Sequence, residues 1–323
     1  MTAEPPASAT GAGGSPCPPS ASELTVTIDT HQHFWSLERE PMPWMTPEHS
    51  AIARDFEPPD LRPLLDACGI DRTILVQSAC TDSDTDAMFA HAEEHPWICA
   101  VTAWVDLLSP AKAEARLDVL ARRPALRGIR HLIHEEADPH WILRERVLES
   151  LAAVERRGLV LELPCVFPRH LGDLPELAQR FPQLTIVIDH LGKPPLGTAL
   201  MREWADALRH AAELPNVCGK VSGLNTMLAT PGWGAPDLRP AVEVAVESFG
   251  ADRLMCGSDW PVCLLNGGYR QVWDGTVAAI TEVAGEVGAR RILEDTPARL
   301  YGLAEAPTAT STSTTGEPHG RPH

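Results

Sequence analysis

The chain has 323 residues, with 27 Lys and Arg against 44 Asp and Glu and a formal net charge of −17. This length suits one α/β barrel or two small domains, and 44% hydrophobic with 22% charged residues is ordinary for a globular protein. Nucleic acids and anionic membranes both attract basic surfaces. The negative balance therefore predicts that neither is a partner.

The chain ends and the cysteines bear on location and domain organisation. The N-terminal stretch has neither the basic start nor the apolar core of a secretory signal, and no apolar run approaches the about 18 residues of a membrane helix. The eight cysteines form no C-x-x-C pair, which predicts reduced thiols and a cytoplasmic location. Segments 1–22 and 305–323 are rich in small residues and proline and are expected to be disordered tails, leaving 23–304 as the folded domain.

Within this domain, short β-branched runs alternate with helix-like segments. Candidate strands lie at 24–28, 73–76, 98–104, 128–133, 159–163, 184–188, 217–221 and 253–256. Helices are predicted at 111–123, 141–158 and 238–250, and the last two end at glycines that fit a C-terminal cap. The alternation predicts a (β/α)8 TIM barrel, with a doubly wound open sheet as the alternative. No Gly-rich phosphate loop follows a strand, which counts against nucleotide binding.

Catalytic groups of such barrels lie at the C-terminal ends of the strands, so the polar residues there are the candidates. His31 and His33 end the first run and are two apart, which points both to one face of an extended backbone. They could ligate a metal or hydrogen-bond a carbonyl oxygen, or they could be surface histidines. Ser78, Trp35 and Trp104 are candidate pocket walls, with plain packing as the alternative.

The fourth and fifth runs carry charged residues. Arg130 is expected to point toward the barrel mouth and to bind a substrate carboxylate or hydroxyl, unless it pairs with a glutamate. Glu162 lies between leucines, so it must be either paired or functional. One strand cannot aim both His131 and His134 inward at the same level, so both are left without a role.

The sixth and eighth runs end in further candidates. His190 and Lys193 lie where the sixth run opens into a Gly/Pro loop, and each could equally be a structural residue. Asp259 follows the eighth run between Gly and Trp-Pro neighbours. Partial burial would bring the pKa of this carboxyl nearer neutrality and suit it to act as a general base, with a helix cap or salt bridge as the alternative.

Taken together, these segments resemble the amidohydrolase superfamily, in the Amidohydro_2-type branch of sugar lactonases and 2-pyrone-4,6-dicarboxylate lactonases. The matching segments occur in family order and span nearly the whole of 23–304. They read IDTHQHFW (28–35), ILVQSA (74–79), WVDL (104–107), LRGIRHL (126–132), IDHLGKPPL (188–196), KVSGL (220–224), CGSDWPVC (256–263) and DTPARLYGL (295–303).

The resemblance implies a (β/α)8 barrel that opens a small lactone, such as L-fuconolactone or L-rhamnonolactone. It implies that Asp259 activates the hydrolytic water while His31, His33 and His190 polarise the lactone carbonyl. The alternatives are a metal-dependent decarboxylase, a lactone isomerase, and a barrel that binds sugar acids without catalysis.

The resemblance also bears on metal binding. Many members of the superfamily carry a binuclear metal centre that uses a bridging Lys or Glu on strand 4 and a His on strand 5, whereas this chain has Arg130 and His131 on strand 4 and Glu162 on strand 5. Two metals are therefore not expected. The alternatives are no cofactor or one zinc-like divalent ion, held by His31, His33 and Asp259 with help from Glu162.

Overall fold

The computed structural model describes residues 26–303, so both predicted tails lie outside the described residues. Its centre is a sheet of eight parallel strands in sequential order. The strands are β1 (Ile28–Gln32), β2 (Arg72–Val76), β3 (Ile98–Ala103), β4 (Leu126–Arg130), β5 (Val160–Leu163), β6 (Ile186–Ile188), β7 (Val217–Val221) and β8 (Leu254–Cys256). This arrangement confirms the predicted (β/α)8 barrel.

Helices alternate with the strands. They are α1 (Pro58–Cys68), α2 (Asp82–Glu94), α3 (Pro110–Leu120), α4 (Glu145–Arg156), α5 (Leu174–Arg180), α6 (Met201–Ala212), α7 (Ala235–Phe249), α8 (Tyr269–Arg290) and α9 (Thr296–Leu300). The three predicted helices correspond to α3, α4 and α7. Gly158 and Gly250 follow α4 and α7 with φ of 63° and 66°, a left-handed backbone that favours glycine.

The first strand lies later in the chain than the predicted run at 24–28. It begins at Ile28 and runs through four polar residues to Gln32, all of them buried. Their polar groups are paired inside the barrel: the Thr30 hydroxyl donates to the carbonyl of Cys256 at 2.8 Å, and the Gln32 amide donates to the Thr73 hydroxyl at 3.1 Å. Because apolarity was the criterion, the predicted strand ended at Ile28, where the observed strand begins.

The ring closes where β1 meets the segment that follows β8. The amide of Asp259 donates to the carbonyl of His31 at 2.8 Å, and the amide of His33 donates to the carbonyl of Trp260 at 2.7 Å. These bonds continue the parallel pairing beyond β8, which has only three residues of its own. The closure therefore joins the first and last predicted site segments directly.

Two further sequence predictions concern the cysteines and membranes. The seven cysteines within the described range are free thiols, and four of them are buried. No helix in residues 26–303 combines the length and apolarity needed to cross a membrane.

Arg253 fastens the lower end of the barrel beside β8. Its guanidinium donates to the carbonyls of Ala212, Leu214 and Val217 at 2.9, 2.9 and 3.0 Å, and to that of Ser248 at 3.2 Å. One charged group thus satisfies four backbone acceptors, which ties α6, β7 and α7 to the start of the last strand.

We expect Arg253→Met to lower the free energy of unfolding by about 2 kcal/mol, because it leaves these carbonyls without their charged donor. Arg239→Met is the matched control, since Arg239 pairs with Glu243 one turn along an exposed face of α7. Urea denaturation of both variants measures the difference. Equal midpoints for the two would contradict this role of Arg253.

Candidate functional site

A cavity of about 270 Å³ opens at the C-terminal ends of the strands. Six predicted site residues line it: His33, Ser78, Arg130, His190, Lys193 and Asp259. His31 lies just beneath the lining and is fully buried. The structure thus brings the chemically active candidates from five different strand ends to one place.

Three imidazoles surround the Asp259 carboxylate. The Nε2 atoms of His33 and His31 lie 3.4 and 3.7 Å from Oδ1, and Nδ1 of His190 lies 3.9 Å from Oδ2. His190 and Asp259 both have positive φ, 53° and 60°, so each stands on a strained turn directly after its strand. These turns aim both side chains across the mouth of the barrel.

The hydrogen bonds of His33 define its ring state. Its Nδ1 lies 2.7 Å from the carbonyl of Val76, which can only accept, so Nδ1 carries a proton. The Nε2 atom on the other side of the ring lies 3.4 Å from Oδ1 of Asp259.

Asp259 is an ionised carboxylate. Burial raises the pKa of Asp259, but the facing imidazoles of His190 and His33 outweigh that cost and hold it below the ordinary carboxyl value. Burial lowers the pKa of His190, and it lowers that of His134 to about 3, so neutral rings face the cavity at these positions. The prediction of a pKa nearer neutrality for Asp259 was therefore wrong, because the effect of the facing imidazoles outweighs that of burial.

His31 is held from both sides. Burial lowers its pKa well below the ordinary histidine value, so the ring is neutral and has one lone pair. Nη1 of Arg130 can only donate, and it lies 2.9 Å from Nε2. It therefore donates a hydrogen bond to that lone pair. The proton on Nδ1 then faces Oδ1 of Asp189 at 3.4 Å. A buried carboxylate thus fixes the orientation of the ring.

Charged groups that the sequence analysis did not select lie below the cavity. Lys220 on β7 and Asp189 after β6 are fully buried, and Lys220 pairs with Glu162 at 2.5 Å. Glu162 also accepts bonds from the hydroxyls of Thr102 and Tyr301, at 2.7 and 2.5 Å. Glu162 is therefore paired and lies outside the cavity lining. A charge inside an otherwise apolar strand was the signal available for Lys220.

Arg130 is also paired, though not with a glutamate. Its Nη1 donates to Oδ2 of Asp189 at 3.1 Å, while its Nε is buried and has no hydrogen-bond partner among residues 26–303. Burial raises the pKa of Asp189, yet His31, Lys220 and Arg130 together hold it well below the ordinary value. Arg130 thus lines the cavity while its guanidinium is anchored to Asp189 and His31.

The remaining candidates have separate positions. Ser78 lines the cavity and its hydroxyl donates to Asp84 at 2.6 Å. Trp35 packs against Trp44 and Phe56, outside the lining.

The two histidines without a predicted role differ from each other. His131 stacks on Trp141 with ring centroids 4.0 Å apart and accepts from the indole of Trp104 at 3.1 Å, so all three rings form a side cluster. Trp104 therefore packs in this cluster, beside the site. His134, in contrast, lines the cavity.

The donor groups fit one divalent cation. His31, His190 and Asp259 offer ligand atoms that all lie within 4.8 Å of one another. The Arg130 guanidinium would have to leave Nε2 of His31 for that nitrogen to become a ligand.

Gly223 provides the space for this arrangement. It has φ of 61°, and a Cβ atom there would lie 2.6 Å from Oδ2 of Asp259 and 2.9 Å from Nδ1 of His190.

We expect Gly223→Ala to lower the thermal midpoint more than Gly197→Ala, which has a similar φ of 74° but open space around it. A crystal structure of the variant should show Asp259 displaced. An equal loss in both variants would mean that only the backbone angle matters.

Comparisons with known proteins identify the family of this chain. A family model described as Amidohydrolase matches residues 28–303. L-fucono-1,5-lactonases from Burkholderia ambifaria and Burkholderia multivorans are 42% and 36% identical, each over 76% of this chain and over 83% and 86% of their own lengths. The crystal structure of an amidohydrolase from Burkholderia multivorans with bound zinc covers 86% of this chain and 100% of its own, at 31% identity and a TM-score of 0.80.

The family match contains every residue of the cavity described above, from β1 to the segment after β8. The resemblance inferred from the sequence motifs is therefore confirmed at the level of the family. The chain belongs to the amidohydrolase family.

Proposed function

We propose that this protein is a lactone hydrolase that opens a sugar-acid lactone, with L-fucono-1,5-lactone as the first substrate to test. The observation that carries the proposal is the ionised Asp259 at the mouth of the barrel, surrounded by His31, His33 and His190. The two relatives at 42% and 36% identity are both lactonases of this substrate, which supports the choice.

The reaction begins with water activation. Asp259 is the base: it takes a proton from a water molecule as the water oxygen attacks the lactone carbonyl carbon. His33 keeps the carboxylate in place through the contact at 3.4 Å. When the tetrahedral intermediate collapses, Asp259 returns the proton to the ring oxygen, which leaves as a hydroxyl on the same molecule. The product is an open-chain hydroxy acid.

Negative charge develops on the former carbonyl oxygen, and cations face it. Arg130 and Lys193 both line the cavity and supply positive charge there. His190 is neutral and lies beside Asp259, where it can donate a hydrogen bond to the same oxygen. The carbonyl is thus polarised by His190, Arg130 and Lys193, while His31 holds Arg130.

One divalent cation could be held by His31, His190 and Asp259, and when bound it would add Lewis-acid polarisation of the carbonyl. We propose that it is not required. Arg130 already occupies the lone pair of His31, and the cavity has its own cations to stabilise the oxyanion.

Asp259→Asn should reduce kcat by about 100-fold or more, because the amide cannot accept the proton from water. Asparagine tolerates the left-handed backbone at this position, so the fold should be kept. Hydrolysis of L-fucono-1,5-lactone, followed with a pH indicator, measures the loss, and circular dichroism checks the fold.

The matched control is Glu135→Gln, which neutralises another carboxylate of the cavity lining that lies beside His134. It should change KM more than kcat. Full kcat in Asp259→Asn would remove Asp259 from the role of base. A comparable loss in both variants would point to the total charge of the cavity instead.

Removal of metal is the second test. The protein is dialysed against a chelator, its metal content is determined, and lactone hydrolysis is measured before and after. We expect at least about half of kcat to survive, since the loss of a required catalytic group costs about 100-fold or more. Loss of activity on chelation and its return with added Zn²⁺ would contradict this expectation. It would mean that His31, His190 and Asp259 act primarily as metal ligands.

A further inference from the structure

Lys220 is a fully buried ammonium for which the mechanism above has no role. Its Nζ lies 2.5 Å from Oε2 of Glu162, 3.3 Å from Nδ1 of His31 and 3.7 Å from Oδ1 of Asp189. A buried charge costs several kcal/mol unless it is paired, so a lysine here calls for an explanation. The three residues around it, Glu162, His31 and Asp189, provide that explanation.

The neighbours of Lys220 form a second group of metal-type donors below the cavity. His31, Glu162 and Asp189 offer ligand atoms that all lie within 4.8 Å of one another, and all three residues are buried. One imidazole nitrogen with two carboxylate oxygens is a donor set that suits divalent ions such as Mn²⁺ or Zn²⁺. The ammonium lies within 4 Å of a donor atom of each residue.

We propose that Lys220 is a built-in cation of this site: its ammonium takes the place between His31, Glu162 and Asp189 that a divalent ion would otherwise occupy. Residues 26–303 then have room for at most one divalent ion at the mouth of the barrel, the one that the donors around Asp259 can hold. Lys220 is a positioning residue, because it contacts His31 and Asp189 and not the substrate. This inference does not depend on which lactone is hydrolysed.

The charges below the cavity balance only when Lys220 is counted. Glu162 and Asp189 carry the negative charge, and Lys220 and Arg130 carry the positive charge. Without Lys220, two buried carboxylates would face a single guanidinium. A divalent ion in the vacated place would restore the missing positive charge.

Counting bound metal ions tests the proposal without any activity assay. Wild-type protein and Lys220→Ala are stripped of metal, dialysed against Mn²⁺ and analysed for metal per chain. Mn²⁺ is used because free thiols bind zinc strongly, and all seven cysteines of the described residues are free. We expect at most one ion in the wild type and one more in Lys220→Ala. Mn²⁺ should also raise the thermal midpoint of the variant more than that of the wild type.

Two control variants separate the vacated place from a general weakening of the fold. Lys220→Met removes the charge but fills the space, and the double variant Lys220→Ala with Glu162→Gln removes one of the donors. Neither should bind more Mn²⁺ than the wild type. With lactone as substrate, Mn²⁺ should raise kcat of Lys220→Ala with little change in KM, and it should not do so for Lys220→Met.

Three results would overturn the proposal. They are two strongly bound ions in the wild type, no additional ion in Lys220→Ala, and a Lys220→Ala chain that fails to fold even with Mn²⁺ present. If no lactone is hydrolysed by the wild type, the proposed function fails while the metal counts still decide the role of Lys220.

Discussion

The backbone bonds between β1 and the segment after β8 hold the two halves of the site together. Asp259 donates its amide to the carbonyl of His31 at 2.8 Å, so the base and its histidine are fixed by the main chain as well as by side chains. Gly257 makes this approach possible, since a Cβ there would lie 2.7 Å from Cβ of His31. Closing the barrel and assembling the site are therefore one structural event.

Buried charge is the second constraint, and in this barrel the buried charged side chains pair with one another. Asp189 contacts Arg130, His31 and Lys220, and Glu162 contacts Lys220 and two hydroxyls. The contacts of Asp189 orient the His31 ring and the Arg130 guanidinium, and Arg130 lines the cavity. Residues at the rim, such as His134 and Thr226, lie on the loops that follow β4 and β7. The chemistry is thus carried by strand ends, and the loops are free to set the choice of lactone.

The sequence predicted the barrel and the convergence of His31, His33, His190 and Asp259, because strand ends in a parallel barrel meet at one edge. It misplaced β1, whose polar residues are buried and paired within the barrel. It also missed Lys220 and Asp189, since their importance depends on charges contributed by distant strands. The low pKa of Asp259 could not be foreseen from its apolar flanks, because it follows from the facing imidazoles.

The central claim is that water, activated by Asp259, attacks the carbonyl carbon of a lactone. Turnover of L-fucono-1,5-lactone in ¹⁸O-labelled water, followed by mass spectrometry of the product, tests this most directly. The account predicts one labelled oxygen, located in the new carboxylate. A product without label would indicate rearrangement of the ester in place of hydrolysis, and label in the released hydroxyl would place the attack on the wrong carbon. Either result would contradict the account.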